Sequence, residues 1–167
     1  MFPSSRFLQR GMLAPLDFSR IRLAVELGPG TGCITRAILE RLSPTARLLA
    51  LDINRDFVAE LSTRFQDPRL LPVHASAAQL LEVLRDRGLG QADCVISGLP
   101  YCNMELSQRN QLVQATEQSL APGGVFVVFQ YSPFWLPQVL RRHFPSYKAD
   151  LVPLNIPPAL VYACTKG

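Results

Sequence analysis

The stretch Val-Glu-Leu-Gly-Pro-Gly-Thr-Gly at residues 25–32 decides the fold of this chain. The apolar run 21–27 predicts a buried strand, and Ile34 and Ile38 behind it lie at helical spacing. Three alternating glycines between a strand and a helix allow a sharp turn whose backbone can approach a ligand closely. The sequence therefore predicts a small-molecule site at this turn, with a tight turn that binds no ligand as the alternative.

Strand-like and helix-like segments alternate along the rest of the chain, which is the pattern of a parallel sheet covered by helices. Four further strands of this kind are predicted at 47–53, 70–75, 92–97 and 125–131. The last two candidates, 148–154 and 159–165, are separated by only four residues, too few for a parallel crossover. We therefore predict a mostly parallel α/β sheet of seven strands, with helices on both faces and a C-terminal antiparallel hairpin.

The bulk properties indicate one folded domain. The 167 residues, 48% of them hydrophobic, suit a single core, which we place in residues 21–167 behind a helical segment at residues 1–20. Because no apolar run reaches the roughly 20 residues that span a bilayer and no signal peptide is recognisable, we expect a cytoplasmic protein. The formal net charge of +4 favours an anionic partner, either nucleic acid or an acidic membrane surface. Four cysteines without metal-ligand spacing predict reduced, structural thiols and no metal site.

Two classes of ligand use a glycine turn of this kind. The dinucleotide fingerprint has a small residue where this chain has Cys33, and Pro29 crowds the turn at which a pyrophosphate would lie. Glu26, two residues before Gly28, instead completes the pattern E-x-G-x-G-x-G. This pattern resembles the S-adenosylmethionine-dependent methyltransferases, whose seven-stranded Rossmann-like sheet would use nearly the whole chain from residue 21.

The resemblance implies how the cofactor, S-adenosylmethionine, would be held before it leaves as S-adenosylhomocysteine. Glu26 would bind the methionine ammonium group, while Gly28, Gly30 and Gly32 would let the methionine chain pass close to the backbone. Asp52, at the end of the second strand, would accept hydrogen bonds from both ribose hydroxyls. An acid favoured near a helix N-terminus is the alternative for Asp52, and the two roles are compatible.

Three more residues are predicted to contact the cofactor. Ile53 would lie against the adenine, and Ser97 at the end of the fourth strand would lie close to the cofactor. Ser76 follows the third strand, where many relatives have an acid that recognises the adenine amino group. It either takes that role as a weaker substitute or caps the helix that follows it.

The segment 97–101, Ser-Gly-Leu-Pro-Tyr, predicts the methyl-transfer site, since open α/β sheets place their reactions at the carboxyl ends of strands. Relatives that methylate base amino groups, including rRNA adenine dimethylases, have Asn or Asp at the position of Gly98. Its side-chain oxygen accepts a hydrogen bond from the amine, which Gly98 cannot do. We predict that Tyr101 and Tyr131 orient the amine, partly through cation–π attraction, with ordinary packing at strand ends as the alternative.

A narrower resemblance is to the bacterial phospholipid N-methyltransferases, which methylate phosphatidylethanolamine. Four parts of the sequence carry it: residues 3–5, the glycine turn, residues 97–100, and residues 129–133 together with 154–162. It implies a lipid amine as the acceptor at an anionic membrane surface, with the protein attached to the inner face of the membrane. Leu99 and Pro100 would line the acceptor site, and Asn155 would either bind a headgroup phosphate or cap a turn.

Two other acceptors remain open at this stage. One is rRNA adenine, which is less favoured because of Gly98 and because the chain ends without the helical domain with which the rRNA enzymes hold RNA. The other is a small-molecule hydroxyl or amine, since a fold does not fix a substrate.

Two apolar segments are candidates for membrane contact. Phe2, Phe7 and Met12 lie among arginines in residues 1–20, which would form an interfacial helix capped by Ser5, a lid over the cofactor, or a helix packed on the core. The pair Phe134 and Trp135 would lie either in a headgroup layer or in the core.

Overall fold

The computed structural model describes residues 4–167, which contain seven strands and six α-helices. The strands are β1 (Leu23–Leu27), β2 (Arg47–Asp52), β3 (Leu70–His74), β4 (Ala92–Ser97), β5 (Leu120–Gln130), β6 (Ser146–Val152) and β7 (Ala159–Thr165). The helices are α1 (Arg6–Leu13), α2 (Cys33–Leu39), α3 (Arg55–Arg64), α4 (Leu80–Asp86), α5 (Leu106–Ser119) and α6 (Leu136–His143). Phe2 and Pro3 lie outside the described residues.

The strands form one sheet in the order β3-β2-β1-β4-β5-β7-β6. The strands from β3 to β5 in this order are parallel, and β7 is antiparallel to both β5 and β6. This topology confirms the predicted mostly parallel sheet with a C-terminal hairpin. The chain order reverses between β1 and β4, and open α/β sheets bind their ligands in the crevice at such a switch point.

The sheet separates two hydrophobic cores, because successive side chains of a strand point to opposite faces. Helices α1, α2 and α3 supply apolar residues to one core, including Leu8, Ile38 and Leu61. Helices α4, α5 and α6 supply the other, including Leu84 and Val113. Helices therefore cover both faces, as predicted.

Helix α1 packs on the core, which was one of three predicted alternatives for the N-terminal segment. The Ser5 hydroxyl accepts a hydrogen bond from the Leu8 amide at 3.1 Å, which confirms the predicted cap. Leu8 and Met12 are buried, and a Cβ at Gly11 would lie only 2.7 Å from Cγ2 of Val152. The helix is thus fixed against β6 by a contact that leaves no room for a side chain at Gly11.

Two predicted boundaries were wrong. The helical spacing of Leu106, Val113 and Leu120 predicts a helix that includes Leu120, but α5 ends at Ser119 and Leu120 already pairs with Ala92 across the sheet. A register shift after that pair lets β5 start early and pass through its Pro-Gly-Gly segment. The hairpin strand predicted from residue 148 instead begins at Ser146 and ends at Val152, so its connecting loop is longer than expected.

The four cysteines differ in their environments. Cys94 and Cys164 are buried, and burial raises the pKa of both thiols to about 12. Cys102 is exposed, in contrast to the predicted packing of all four as small apolar residues. Within residues 4–167, no cluster of metal-ligating side chains occurs. No helix in the same range combines the length and the apolar character needed to cross a bilayer.

Candidate cofactor and acceptor site

A cavity of about 510 Å³ opens at the carboxyl edge of the sheet. Its inner end lies beside Glu26 and Gly28, at the end of β1. Its middle is lined by residues 98–102, which follow β4, and its outer end is lined by Tyr131 and Ile156. Part of the glycine turn, including Gly28, and the segment predicted to carry methyl transfer therefore line one cavity, which has the volume of a small-molecule site. Gly30 and Gly32 do not belong to its lining, and their contacts with a cofactor stay a prediction.

Glu26 is a buried acid that faces this cavity. Its Oε2 accepts a hydrogen bond from Oγ1 of Thr35 at 2.6 Å, and no cationic side chain among residues 4–167 forms an ion pair with it. Burial raises the pKa of Glu26 to about 7, the Thr35 hydrogen bond opposes that rise, and the charge of Asp52 adds to it. A ligand cation in the cavity would compensate the buried negative charge.

Because of this pKa, the stability of the cofactor-free protein should fall as pH rises from about 4.5 to about 7. The carboxyl titrates at 4.5 when unfolded and at about 7 when folded, so the folded state binds the extra proton. Wild type should lose on the order of 3 kcal/mol of its free energy of unfolding over this pH range, and Glu26→Gln should not show this loss. We expect the melting temperature of Glu26→Gln, relative to wild type, to increase from pH 5 to pH 8.

Thermal denaturation without cofactor measures this effect. Glu40→Gln serves as the control, because Glu40 is exposed at the end of α2. A melting-temperature difference between Glu26→Gln and wild type that stays constant across the pH range would contradict the buried, uncompensated carboxylate.

The glycine turn brings the ends of β1 and β4 into close contact. Gly28 has a φ of +71°, and a Cβ there would lie 2.7 Å from Cδ2 of Leu99. A Cβ at Gly98 would lie 3.2 Å from the carbonyl oxygen of Gly28. Backbone therefore forms the wall at this point, and the left-handed conformation of Gly28 is one that other residues rarely adopt.

Asp52 links the glycine turn to the loop after β2. Its Oδ2 accepts from the Gly30 amide at 3.2 Å, and its Oδ1 accepts from the Asn54 amide at 2.9 Å. Asn54, and not Asp52, caps α3. A carboxylate has about four acceptor positions, so the predicted ribose hydroxyls still have places to bind. Ile53 next to it is 72% exposed. Neither residue belongs to the lining of the cavity, and their contacts with ribose and adenine stay a prediction.

The other two serines predicted as cofactor contacts have polar partners within the protein. Ser76 caps the 3-10 helix Ala77–Gln79, and its backbone amide donates to Oε1 of Gln79 at 3.0 Å. Its capping alternative is therefore confirmed. Ser97 is buried, with its Oγ 3.1 Å from the Tyr101 hydroxyl. Neither serine belongs to the described wall of the cavity, and their contacts with a cofactor stay a prediction.

The two tyrosines predicted to orient the amine both line the cavity, but they differ in burial. Tyr101 is 2% exposed, and burial raises the pKa of its hydroxyl, which therefore stays protonated and does not serve as a base. Its carbonyl oxygen accepts from Nε of the buried Arg109 at 2.6 Å, which fixes the segment. Tyr131 is 54% exposed, and its ring packs edge-on against Phe129. Leu99 and Pro100, which are predicted to line the acceptor site, both line the cavity.

Asn155 holds the loop beside the cavity mouth. Its Oδ1 accepts from the Ser5 hydroxyl, and its Nδ2 donates to the Pro157 carbonyl at 2.7 Å. These contacts match the turn-stabilising alternative, and the buried amide does not line the cavity. The neighbouring Ile156 does line it and is 95% exposed.

The edge of the sheet at which the cavity opens is apolar, and two of its exposed apolar side chains, Tyr131 and Ile156, line the cavity itself. Among residues 4–167, the large apolar side chains that are exposed all belong to segments at the carboxyl edge of the sheet. They are Phe7, Ile53, Leu81, Leu106, Tyr131, Phe134, Trp135, Leu151, Leu154 and Ile156. We call this set the apolar rim. Phe134 and Trp135 are therefore not buried in the core, which was the alternative to their predicted membrane contact.

Comparisons with known proteins agree with this arrangement. The family described as "Methyltransferase domain" matches residues 25–126. The ornithine lipid N-methyltransferase of Singulisphaera acidiphila is 34% identical over 163 residues, which is 97% of this chain and 85% of that protein. This chain belongs to the S-adenosylmethionine-dependent methyltransferases.

Two further comparisons concern a part of the chain and its fold. Ribosomal RNA small subunit methyltransferase A of Paraburkholderia xenovorans is 38% identical, but the match covers only 46% of this chain and 28% of that protein. The structure of human methyltransferase-like protein 13 in complex with SAH aligns with a TM-score of 0.74 at 16% identity, covering 95% of this chain and 82% of that one. At that identity the likeness concerns the fold alone.

The residues of the methyltransferase fit its cofactor, S-adenosylmethionine. The methionine part carries an ammonium group, and Glu26 is a buried acid without a cationic partner in the described part of the chain. At Gly28, which lines the cavity, a Cβ would lie 2.7 Å from Cδ2 of Leu99, so the turn has no room for a side chain there. When bound, the cofactor would supply an activated methyl group on a sulfonium, and residues that follow β4 or end β5 line the same cavity as Glu26.

Among the residues of the cavity that sequence reasoning missed, Gln130 is the one with a polar side chain that is unpartnered within the described residues. Gln130, the last residue of β5, lines the cavity and is only 6% exposed. Neither atom of its amide has a hydrogen-bond partner among residues 4–167. Its signal in the sequence is a polar residue that ends the apolar run Val-Phe-Val-Val-Phe at residues 125–129.

Proposed function

We propose that this methyltransferase transfers methyl groups to the amine of a lipid headgroup, of the phosphatidylethanolamine or ornithine lipid type. The observation that carries the proposal is the relation to an ornithine lipid N-methyltransferase, which extends over nearly the whole chain. The match therefore includes the acceptor end of the cavity, from Gly98 to Ile156, as well as the glycine turn.

The apolar rim supports a lipid as the acceptor. Apolar side chains at the edge where the cavity opens would be dehydrated by contact with a bilayer, which is favourable by roughly 25 cal/mol per Å². Tryptophan side chains favour the headgroup layer of a membrane, and Trp135 belongs to the apolar rim. Its ring is held by the Arg109 guanidinium, whose Cζ lies 5.6 Å from the ring centroid. The mouth would then face the lipid headgroups directly.

The charge of the chain supports an anionic membrane as the surface to which it attaches. The formal net charge is +4, and the last turn of α6 carries Arg141 and Arg142, roughly 9 Å along the helix axis from Trp135. Each basic residue near an acidic bilayer contributes on the order of 1 kcal/mol of attraction. We therefore propose a cytoplasmic protein that binds the inner face of the membrane peripherally.

At the reacting centre, the chain itself mainly has to hold and orient the amine. Since the methyl group is already activated, in-line attack needs a neutral amine close to the methyl carbon. Tyr101 remains protonated and Gly98 has no side chain, so neither removes a proton from the amine. The Tyr131 ring at the mouth can attract a methylated ammonium product through its face.

The test is methylation of vesicles with isotope-labelled cofactor. Vesicles containing phosphatidylethanolamine, vesicles containing ornithine lipid and vesicles of phosphatidylglycerol alone are compared, with unmodified small-subunit rRNA as a separate arm. The proposal expects label in the amine lipids and none in the phosphatidylglycerol vesicles or the rRNA. Cofactor binding by calorimetry without any labelled lipid would overturn it.

The apolar rim gives a prediction for vesicle binding. Ile156→Asp removes the most exposed apolar side chain of the rim and adds a charge that anionic lipid repels. We expect binding to phosphatidylglycerol-containing vesicles to weaken about tenfold or more, since burying an isoleucine side chain contributes about 1.5–3 kcal/mol. Vesicle flotation measures the effect.

The control for this prediction is Gln91→Asp. Gln91 is exposed directly before β4, at the opposite edge of the sheet, so the variant adds the same charge away from the rim. Equal loss of vesicle binding in both variants would show that net charge alone governs attachment, and would contradict docking through the rim.

A further inference from the structure

We propose that Gln130 binds the acceptor amine, with its side-chain Oε1 accepting a hydrogen bond from an amine N–H. The inference rests on the proposed function, because it requires an amine as the acceptor. Gly98, which follows β4, has no side chain and cannot accept a hydrogen bond from the amine. Gln130, at the end of β5, would supply this acceptor in its place.

The unpartnered amide is the first observation behind this assignment. Gln130 is 94% buried, and both its Oε1 and Nε2 lack a hydrogen-bond partner among residues 4–167. A candidate partner is the Tyr162 hydroxyl. Burial raises the pKa of Tyr162, and the nearby Gln130 amide opposes part of that rise. The two groups nevertheless do not reach hydrogen-bond geometry. A buried polar group without a partner is unfavourable, so a ligand that donates to it gains the full hydrogen bond.

The position of Gln130 in the sheet is the second observation. Val128 is in register with Ser97, and side chains two residues apart on a strand share a face. Gln130 therefore lies on the same face of the sheet as Ser97. It is two residues nearer the carboxyl end of β5 than Val128. It lines the same cavity as Gly98 and Tyr101, and so faces the segment where methyl transfer is predicted.

Gln130 lies far from Glu26, the residue predicted to bind the methionine ammonium group of the cofactor. Glu26 is in register with Ile96, and Ile96 with Val127, so β5 lies two strands away from β1. Strand spacing gives roughly 10 Å across the sheet, and the three residues from Val127 to Gln130 add roughly 10 Å toward the mouth. A group bound by Gln130 is thus at the acceptor end of the cavity.

The hydrogen bond would strengthen during the reaction. As the amine lone pair forms the new N–C bond, the C–S bond breaks and its electron pair stays on sulfur, which becomes a neutral thioether. The nitrogen acquires the positive charge and then loses one proton to solvent. An N–H that donates to Oε1 of Gln130 becomes more polar in the transition state, and hydrogen bonds from charged donors are roughly twice as strong as neutral ones.

The assignment has a consequence that ordinary packing does not share. A primary amine has two N–H groups and a monomethylated amine has one, but a dimethylated amine has none. Gln130 can therefore assist the first and second methyl transfers and cannot assist a third.

The test is Gln130→Met, which keeps the length of the side chain and removes the amide. Lipid amines carrying zero, one or two methyl groups are offered separately, and each single transfer is measured under saturating cofactor. We expect the first and second transfers to slow about tenfold to a hundredfold. The third, wherever wild type performs it, should change less than twofold.

Equilibrium binding gives a second readout that does not depend on turnover. With S-adenosylhomocysteine present, Gln130→Met should bind a primary-amine lipid more weakly than wild type and a trimethylammonium lipid equally well. Its melting temperature should equal or exceed that of wild type, because an unpartnered buried amide has been removed. Gln114→Met, at an exposed position of α5, is the control.

The outcomes distinguish this inference from the proposed function. If wild type methylates no lipid amine, the proposed function fails. If wild type is active and Gln130→Met affects amines with and without N–H groups equally in rate and in binding, or affects neither, the role of Gln130 alone is overturned.

Discussion

The variant Glu26→Gln should bind S-adenosylmethionine roughly a hundredfold to a thousandfold more weakly than wild type at pH 7.5. The carboxylate is buried, and within residues 4–167 its side chain has one hydrogen-bond donor, the Thr35 hydroxyl, and no cationic partner. The methionine ammonium would supply that partner in a region of low dielectric. Removing one member of a buried ion pair costs about 3–5 kcal/mol, because the other charge is left uncompensated.

Calorimetric titration of the cofactor measures this loss, and its pH dependence identifies the group responsible. Wild-type affinity should fall about tenfold per pH unit below pH 7, since the ammonium binds the ionised form of a carboxyl whose pKa is about 7. Glu26→Gln should lack this dependence. An equal pH dependence in both proteins would assign the titration to another group, and Glu40→Gln should behave as wild type.

This variant also has opposite effects on stability and on binding. Without cofactor, Glu26→Gln should be more stable than wild type above pH 7, although it binds the cofactor poorly. A substitution that merely disturbed the fold would lower both quantities. The combination of higher melting temperature and weaker binding is therefore specific to an acid buried for its ligand.

Gly28→Ala should lose about 2–4 kcal/mol of stability and bind the cofactor tenfold to a hundredfold more weakly. The φ of +71° costs a residue with a Cβ roughly 1–2 kcal/mol, and the Cβ would lie 2.7 Å from Cδ2 of Leu99. Relief of that clash moves Leu99, which lines the cavity, so the effect reaches both the cofactor and the acceptor end. Overpacking of this kind typically adds 1–3 kcal/mol.

The matched control is Gly90→Ala. Gly90 has a similar φ of +74°, but a Cβ there has no neighbour within 4 Å. It should therefore lose only the backbone part of the stability and leave cofactor affinity unchanged. Thermal denaturation and calorimetry of both variants separate the two contributions, and an equal effect of the two substitutions would show that the close approach at Gly28 is unimportant.

The cofactor end of the site could be predicted from sequence because its determinants are local. Glu26 and the glycines lie within seven residues, and the strand and helix on either side are visible as apolar periodicity. Asp52 could be predicted in the same way, because it is an acid at the end of the apolar run that forms the next strand, β2. The Ser76 cap was also readable, since Gln79 three residues later forms a capping box with it.

The acceptor end could not be predicted in the same way, because its residues acquire their roles from distant partners. Asn155 is held by Ser5, 150 residues earlier in the chain, which no local pattern indicates. The unpartnered state of Gln130 depends on the packing of β5 against β7. The early start of β5 at Leu120 is another such case, since the pairing with Ala92 overrides the helical spacing of the preceding segment.

The packing of α1 has a consequence for the order in which the chain folds during its synthesis. Helix α1 is made early, but it packs on residues such as Val152 and Val161, which are made near the end. At the usual rate of about 5–20 residues per second, the part of its apolar face that β6 and β7 cover stays exposed for roughly 10 seconds or more after it leaves the ribosome. The cofactor turn can form in that interval, whereas the loop that Ser5 ties through Asn155 is completed only after synthesis reaches β7. A nascent chain stalled before residue 150 should therefore expose Leu8 and Met12 to chaperones.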